Sequence, residues 1–247
     1  MRTQVWKGML ATVAGVGLMA GSAMAAQFDA LQATIDGITV GGPSSINAAT
    51  DMMINGTDAY WAVSGGTGGS VSTMLINVSN LSGASAFGIY DSNNKNNVVQ
   101  LFNGSASTGS QITVGITTTG SVILNGNLSS PVGLFSNTVF GYYITVNGLT
   151  YYSDSSLNSG GIDYLMAYQG KGDTVQVGPW SAEVWQSSEY MLAFEAGLGA
   201  FDFNDMVVMV ESVVPKDPHS AVPEPATMLL FGAGLLGLSG VARRRMS

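Results

Sequence analysis

The clearest fold signal in the chain is the stretch FGYYITVNGLTYY at residues 140–152. Two runs rich in β-branched and aromatic residues flank Asn147-Gly148, and both of these turn residues tolerate the positive φ of a tight turn. The stretch therefore predicts a β-hairpin with strands at 140–146 and 149–152.

Runs of the same kind continue on both sides of this hairpin. They predict further strands at 60–63, 71–78, 87–90, 98–102, 111–116, 121–124, 164–168, 190–194 and 206–214. Asn125-Gly126 and Asn103-Gly104 mark turns. No stretch keeps a 3.6-residue period over three turns, and residues 44–53 are the candidate for one short helix. We therefore expect an all-β body over residues 26–214, folded as a single β-sandwich of jelly-roll type.

The composition excludes several kinds of chemistry. Charged residues make up 10% of the 247 residues, against about 25% in an ordinary soluble protein. Because there is no Cys, a thiol nucleophile, a disulfide, a Cys-ligated zinc and an iron–sulfur cluster are all excluded. The single histidine, His219, lies in a Pro-rich stretch, which argues against a Ser-His-Asp triad. The net charge of −8 has the wrong sign for binding nucleic acid.

Residues 1–25 have the pattern of a secretory signal peptide. Two basic residues stand at the start, residues 9–20 form an apolar run, and positions 23–25 are occupied by Ala, Met and Ala. We expect a signal helix that signal peptidase removes before Ala26, and hence an exported protein.

Three features occur in order at the C-terminal end, after a Pro-rich linker at 215–221. They are Val222-Pro223-Glu224-Pro225, an apolar run over 226–242, and Arg243-Arg244-Arg245. The run reaches the lower end of the roughly 17–25 residues that a helix needs to cross a bilayer. Arginines after such a helix favour the cytoplasmic side. We therefore expect a transmembrane helix, with the body on the far face of the membrane.

This end of the chain, residues 222–247, resembles the PEP-CTERM sorting signal. The same tail is also labelled an ice-binding protein C-terminal domain, a label that concerns the tail alone. The resemblance implies that an exosortase, a membrane transpeptidase-like enzyme, recognises residues 223–225 and that the apolar tail is then removed. The chain would lie in the inner membrane transiently, and the body would pass to the cell surface or exopolysaccharide matrix of a Gram-negative bacterium. An ordinary C-terminal anchor is the alternative.

The body between residues 26 and 221 is strongly acidic. Its cations are Lys95, Lys171 and Lys216, against fifteen acids, which gives a net charge of about −12. Between 172 and 215 there is no Lys or Arg. Seven acids lie in that segment, namely Asp173, Glu183, Glu189, Glu195, Asp202, Asp205 and Glu211.

Four side chains in this segment are candidate metal ligands, namely Glu195, Asp202, Asn204 and Asp205. Carboxylates gathered at a strand entry repel one another, and no nearby cation in the sequence relieves the repulsion. A Ca²⁺ ion would relieve it, because calcium takes six to eight oxygen ligands from Asp, Glu, Asn and backbone carbonyls. Alternatively, these side chains cap a turn through hydrogen bonds to the backbone. The spacing does not match an EF-hand loop.

Four stretches in the second half of the chain point to a second family. They are YYSDSSLN at 151–158, YLMAY at 164–168, Phe194-Glu195, and DFNDMVV at 202–208. Together they resemble the DUF4114 family over residues 140–214. The resemblance implies an exported β-rich module without an assigned activity, whose acidic strand entry is a suspected calcium site. Ala196 stands where the family commonly has an acid, which makes Glu195 the weakest of the four candidate ligands.

These observations favour a non-enzymatic component of the cell surface or matrix, with calcium as its candidate cofactor. The processing partners would be exosortase and signal peptidase, and exopolysaccharide is the candidate binding partner. One alternative is a carbohydrate-binding module, in which aromatics such as Trp180 and Trp185 stack on sugars instead of packing in the core. The other alternative is a glycosidase that uses a pair of carboxylates.

Overall fold

The computed structural model describes residues 27–64, 70–77, 85–197 and 201–216, and for residues 70–77 it describes the backbone alone. In these ranges the chain forms mostly β-strands in several sheets, with one α-helix and two single-turn 3-10 helices. The signal peptide predicted at 1–25 and the apolar helix predicted at 226–242 lie outside the described residues. None of the helices in the described ranges is long and apolar enough to cross a membrane.

The elements follow one another along the chain in a fixed order. They are α1 (Asp29–Ile38), β1 (Tyr60–Val63), β2 (Ser70–Asn77), β3 (Ser85–Asp91), β4 (Asn94–Asn103), β5 (Gln111–Ile116), β6 (Ser121–Leu124), β7 (Gly133–Leu134), β8 (Phe140–Val146), β9 (Leu149–Tyr152), the 3-10 helices Ser155–Leu157 and Ser159–Gly161, β10 (Leu165–Gln169), β11 (Thr174–Val175), β12 (Glu183–Val184), β13 (Glu189–Phe194), β14 (Met206–Glu211) and β15 (Val213–Lys216).

The strands form two large sheets and one small one. A six-stranded sheet has the order β15-β1-β8-β3-β4, with β9 also paired to β8. A seven-stranded sheet has the order β10-β13-β14-β2-β5-β6-β7, and β11 and β12 form a two-stranded sheet. These pairings are antiparallel, both between successive strands such as β8 and β9 and between strands that are far apart in the chain, such as β3 and β8.

The main apolar core is built from both large sheets. Trp61 of the six-stranded sheet packs edge-on against Tyr190 of the seven-stranded sheet, with ring centroids 4.8 Å apart. Phe87 and Phe194 make a similar contact between the same two sheets at 6.2 Å. All four rings are buried, so this core removes large aromatic surfaces from water. The predicted β-rich body is confirmed, and the finer prediction of a single jelly-roll sandwich stays a prediction.

Two of the three predicted Asn-Gly turns adopt the left-handed backbone conformation that their residues suggest, whereas at Asn103-Gly104 the chain turns without a positive φ. In the hairpin of residues 140–152, Asn147 has φ 51° and Gly148 has φ 80°. Asn125 and Gly126 have φ 52° and 70° between β6 and β7. Both pairs therefore use the left-handed region that Asn and Gly enter at little cost.

The α-helix found in the described ranges lies where the sequence did not predict a helix. Residues 44–53 form turns instead, and α1 covers Asp29–Ile38. In α1, Leu31 and Ile35 are fully buried, and with Phe28 before them they belong to a second core that includes Val207 of β14. That second core packs on the outer face of the seven-stranded sheet. The helix is short and its apolar stripe is narrow, so its sequence alone does not predict it. Packing of its apolar side chains on the sheet stabilises it.

The predicted strand at 206–214 is divided in the structure. Ser212 has φ 55°, which interrupts the extended chain. β14 before it pairs with β13 in the seven-stranded sheet, whereas β15 after it pairs with β1 in the six-stranded sheet. The chain therefore changes sheets at Ser212, and the fully buried Val213 enters the main core directly afterwards. β15 includes Pro215 and Lys216, the first two residues of the segment predicted as a linker.

Candidate functional site

The site begins where β13 ends and β14 starts. Phe194 is paired with Met206 in the antiparallel register of these strands. Glu195 follows Phe194 and Asp205 precedes Met206, so the register places these two acids opposite each other. The intervening segment returns the chain from one strand to the next. Two of the four predicted ligands are therefore brought together by strand pairing.

Glu195 is fully buried, and backbone N–H groups surround its carboxyl group. Its Oε1 accepts a hydrogen bond from the N–H of Gly197 at 2.9 Å. Its Oε2 accepts from the N–H groups of Asp202 at 3.1 Å and Phe203 at 3.3 Å. One side chain thus holds both ends of the connecting segment.

The other predicted ligands make separate contacts. Asp205 Oδ2 accepts a hydrogen bond from the N–H of Ala196 at 2.7 Å. Asp202 Oδ2 accepts one from the side-chain amide of Asn204 at 3.1 Å. Asn204 thus contacts Asp202, whereas Asp205 contacts the backbone beside Glu195.

The chain bends at Phe203, in the middle of the acidic segment. Phe203 has φ 53°, a left-handed conformation that is uncommon for an aromatic residue. Its ring is buried and stacks on Phe28, with centroids 6.0 Å apart and an interplanar angle of 11°. The stacking and the hydrogen bond to Glu195 offset the cost of the backbone conformation.

A small group of aromatic rings lies beside the acid pair. Phe201 stacks on Tyr164 with centroids 5.7 Å apart, and Tyr151 packs edge-on against Tyr164 at 4.7 Å. The pKa of Tyr151 is raised by burial, by Tyr164 and by the negative charges of Asp205 and Glu195. The Tyr151 hydroxyl therefore lies close enough to the two acids to interact with them electrostatically.

Burial has a large effect on the acid pair. The pKa of Glu195 is raised to about 7, mainly by burial and to a smaller extent by a hydrogen bond to the Asp205 carboxyl and by the charge of Asp205. The N–H donors of Phe203 and Gly197 act in the opposite direction. When protonated, the Glu195 hydroxyl donates to Asp205, which removes the repulsion between the two carboxylates.

This geometry bears on the choice between calcium and capping. Calcium needs several oxygens that face one point, whereas the oxygens of Glu195 accept N–H groups. Within the described residues, no group of three or more His, Cys, Asp or Glu is arranged to hold a metal ion. The donors around Glu195 thus fit a carboxyl group that caps the connecting segment. Calcium binding stays a prediction.

A second pair of acids was not singled out in the sequence. Asp58 precedes β1, is 2% exposed, and has an Oδ1 atom without a hydrogen-bond partner. Burial and then the charge of Asp163 raise the pKa of Asp58 to about 7. Asp163 precedes β10, and its Oδ1 accepts from the N–H of Leu165 at 3.1 Å. Each acid stands shortly before an apolar strand, but nothing in the local sequence indicates that the two meet.

The residues of the sorting signal lie outside the described part of the chain. They are Val222, Pro223, Glu224, Pro225, Arg243, Arg244 and Arg245.

Comparison with known proteins identifies this same segment. The family model described as the PEP-CTERM protein-sorting motif matches residues 221–245. No curated protein and no solved structure matches the chain. The motif marks an exported protein that exosortase targets and that passes through the membrane to the cell surface.

Proposed function

We propose that this exosortase-targeted chain delivers a non-enzymatic β-rich body to the cell surface or exopolysaccharide matrix of a Gram-negative bacterium. The observation that carries the proposal is the sorting motif at residues 221–245. The proposal includes a single sandwich of jelly-roll type, DUF4114-like over residues 140–214, and removal of the apolar tail after residues 223–225.

Two features of the body support a non-enzymatic role. The acid pair at the strand ends, Glu195 and Asp205, uses its oxygens to accept backbone N–H groups of its own connecting segment. Such carboxyl groups organise the chain rather than face a substrate. The body also has a low density of charge and many Gly, Ser, Thr and Asn residues, which suits a hydrated extracellular matrix.

The sorting step is tested by replacing Pro223, Glu224 and Pro225 with alanine. We expect the chain that still carries its apolar tail to accumulate in the inner membrane, because exosortase no longer recognises it. Cell fractionation and the mass of the mature protein give the readout. The matched control is Pro218→Ala, which changes a proline outside the motif. If the triple variant is still trimmed and reaches the surface, the proposal fails.

Calcium stabilisation of the body is the second part of the proposal that needs a direct test. An ion that binds the folded state raises the unfolding midpoint by mass action. Thermal unfolding of the mature protein should therefore shift upwards in millimolar calcium relative to a chelator. The shift should disappear in an Asp202→Ala/Asp205→Ala double variant and persist in Asp29→Ala. If the midpoint of the unaltered protein does not shift, calcium stabilisation is ruled out and capping is the remaining role of these side chains.

The alternative function is binding or hydrolysis of extracellular polysaccharide. It is favoured by one observation, the half-exposed indole of Trp180 near glutamate side chains. By contrast, Trp185 is fully buried, so it belongs to the core. Incubating the mature protein with the host's exopolysaccharide and measuring released reducing ends tests hydrolysis. Release of reducing ends that is lost in Glu189→Gln would replace the proposed role with an enzymatic one.

A further inference from the structure

A cavity of about 330 Å³ lies on the outer face of the seven-stranded sheet, apart from the acid pair at the strand ends. It is lined by apolar residues, by one tryptophan, by the polar residues Gln111 and Ser181, and by three glutamates. The glutamates are Glu183, Glu189 and Glu211.

The sheet supplies one side of this cavity. Glu189 at the start of β13 and Glu211 at the end of β14 are direct partners in the antiparallel register. Partners in such a register point to the same face of a sheet. Met209, two residues before Glu211, lies on that face and is 4% exposed. The two carboxyl groups are therefore side by side, next to an apolar surface.

The opposite side is supplied by β11, β12 and the loop between them. Val177, Trp180 and Val184 from this segment line the cavity. Val184 and Trp180 are each 45% exposed, so apolar surface is open to solvent here. Glu183 lies on the same segment and adds the third carboxyl group.

The position of Trp180 is set by its neighbours. Its indole N–H donates to the carbonyl oxygen of Gly109 at 2.8 Å. Next to it the two loops approach so closely that a Cβ atom on Gly109 would lie 2.5 Å from Pro179 Cδ. The hydrogen-bonding edge of the indole is thus used within the protein, and the ring is held in place at the cavity before any ligand binds.

The cavity is negative and has no basic residue in its lining. Lys171 lies outside this lining and forms an ion pair with Asp51, with Nζ 2.8 Å from Oδ2. Burial and neighbouring glutamates raise the pKa of Glu189 and of Glu211, although the N–H of Gln186, which donates to Glu189 Oε2 at 2.8 Å, lowers that of Glu189. The three carboxyl groups therefore repel one another, and a bound cation would relieve that repulsion.

We propose that this cavity binds a protonated primary amine carried on a short organic frame. The ammonium group would lie between the carboxyl groups of Glu183, Glu189 and Glu211. The adjoining carbons would pack on Met209 and on the ring of Trp180, which also attracts a cation through its π face. A neutral ligand of the same size would leave the repulsion between the glutamates in place. The proposal goes beyond the sorting of the chain and does not depend on it.

The first test compares two probes of equal length, cadaverine and 1,5-pentanediol, by calorimetric titration of the mature protein. Cadaverine should bind saturably at pH 7.5, and the diol at least about tenfold more weakly, because it lacks the charges. Binding of cadaverine should weaken at high salt, which screens the attraction. Equal binding of the two probes, or no saturable binding of cadaverine, overturns the proposal.

Variants locate the binding in this cavity. Glu211→Gln and Trp180→Leu should each weaken cadaverine binding by about three- to tenfold, through loss of a charge and of an aromatic face respectively. The control is Asp29→Asn, which removes an exposed charge in the first turn of α1. Circular dichroism confirms that each variant is folded. If the control weakens binding as much as Glu211→Gln does, the binding is due to net charge and the proposal fails.

Two further probes distinguish the natural sources of such an amine. Nα-acetyl-lysine methylamide represents a lysine side chain of a polypeptide, and glucosamine represents an amino sugar of a matrix polysaccharide. Tighter binding of either supports the proposal and identifies the source. Binding of neutral glucose as tightly as glucosamine would overturn it in favour of a neutral-saccharide site.

Discussion

Burial strongly disfavours the ionised form of the Asp58 carboxyl group. It is 2% exposed, its Oδ1 has no hydrogen-bond partner, and its pKa is raised to about 7 by burial and by Asp163. Asp91 is as little exposed as Asp58 but lies less deep in the body, and its pKa is lowered, because hydrogen bonds from Ser136, Asn93 and Asn97 together outweigh the effect of burial. Depth of burial and hydrogen-bond donors together therefore decide which acids stay charged in the folded body.

The Asp58→Asn variant tests this at the residue scale. The folded-state pKa of Asp58, about 7, lies above its ordinary value of 3.8, so the folded state holds a proton that the unfolded chain has already lost. The free energy of unfolding of the unaltered protein therefore falls as the pH rises from about 4 to about 7. The free energy of unfolding of the variant does not fall in this way, and between pH 4 and pH 7 it should rise by about 2–4 kcal/mol relative to that of the unaltered protein.

Urea unfolding of both proteins at several pH values between 4 and 8 measures the difference. Asp29→Asn is the control, because Asp29 is exposed, and its curve should run parallel to that of the unaltered protein. Parallel curves for Asp58→Asn as well would show that Asp58 keeps an ordinary pKa in the folded protein.

At the scale of elements, α1 acts as a cover for the outer face of the seven-stranded sheet. Gln32 ties it to the following loop, since its side chain donates to the carbonyl oxygen of Ile46 and accepts from the N–H of Ala48. Tyr168 of β10 donates to the carbonyl oxygen of Ala48 at 2.7 Å. The helix, the loop and the sheet are thus joined by hydrogen bonds as well as by apolar contact.

Ile35→Ala tests the contribution of this helix to stability. Ile35 is fully buried in the second core, so its truncation should lower the free energy of unfolding by about 2–5 kcal/mol. Thr34→Ala, one position earlier on the half-exposed side, should change it by no more than about 0.5 kcal/mol. Chemical unfolding measures both. Equal, small effects would mean that α1 is not docked on the sheet.

At the scale of the whole molecule, negative charge dominates. Three cations face fifteen acids between residues 26 and 221. Two buried acids, Asp58 and Glu195, have raised pKa values that reduce their charge, whereas the pKa of Asp91 is lowered. The acids as a group still far outnumber the three cations, so the folded body carries a self-repulsion that the expanded chain largely escapes.

Screening of this repulsion should stabilise the body. Raising NaCl from about 10 to about 150 mM shortens the Debye length from about 30 to about 8 Å. In the presence of a chelator, we expect the thermal midpoint of the mature protein to rise by a few degrees. Choline chloride at the same ionic strength should act equally, since screening does not depend on the identity of the cation. A midpoint that falls with salt would contradict the argument.

The positions of most strands and turns could be read from the sequence, because these are local properties. β-Branched and aromatic runs favour an extended chain, and Asn147-Gly148 favours a tight turn whatever lies elsewhere in the protein. The sorting signal is likewise a local pattern, and its family model matches it at residues 221–245.

Contacts between residues that are far apart in the sequence depend on the tertiary structure alone. Strand register places Glu195 opposite Asp205 and Glu189 opposite Glu211, while Asp58 meets Asp163 across a long separation in sequence. The crossing between sheets at Ser212 and the docking of α1 belong to the same class. Composition predicted that acids would crowd together, but which of them share a site depends on register and packing. Those follow from burying the apolar faces of all the strands at once, and no short stretch of sequence contains that information.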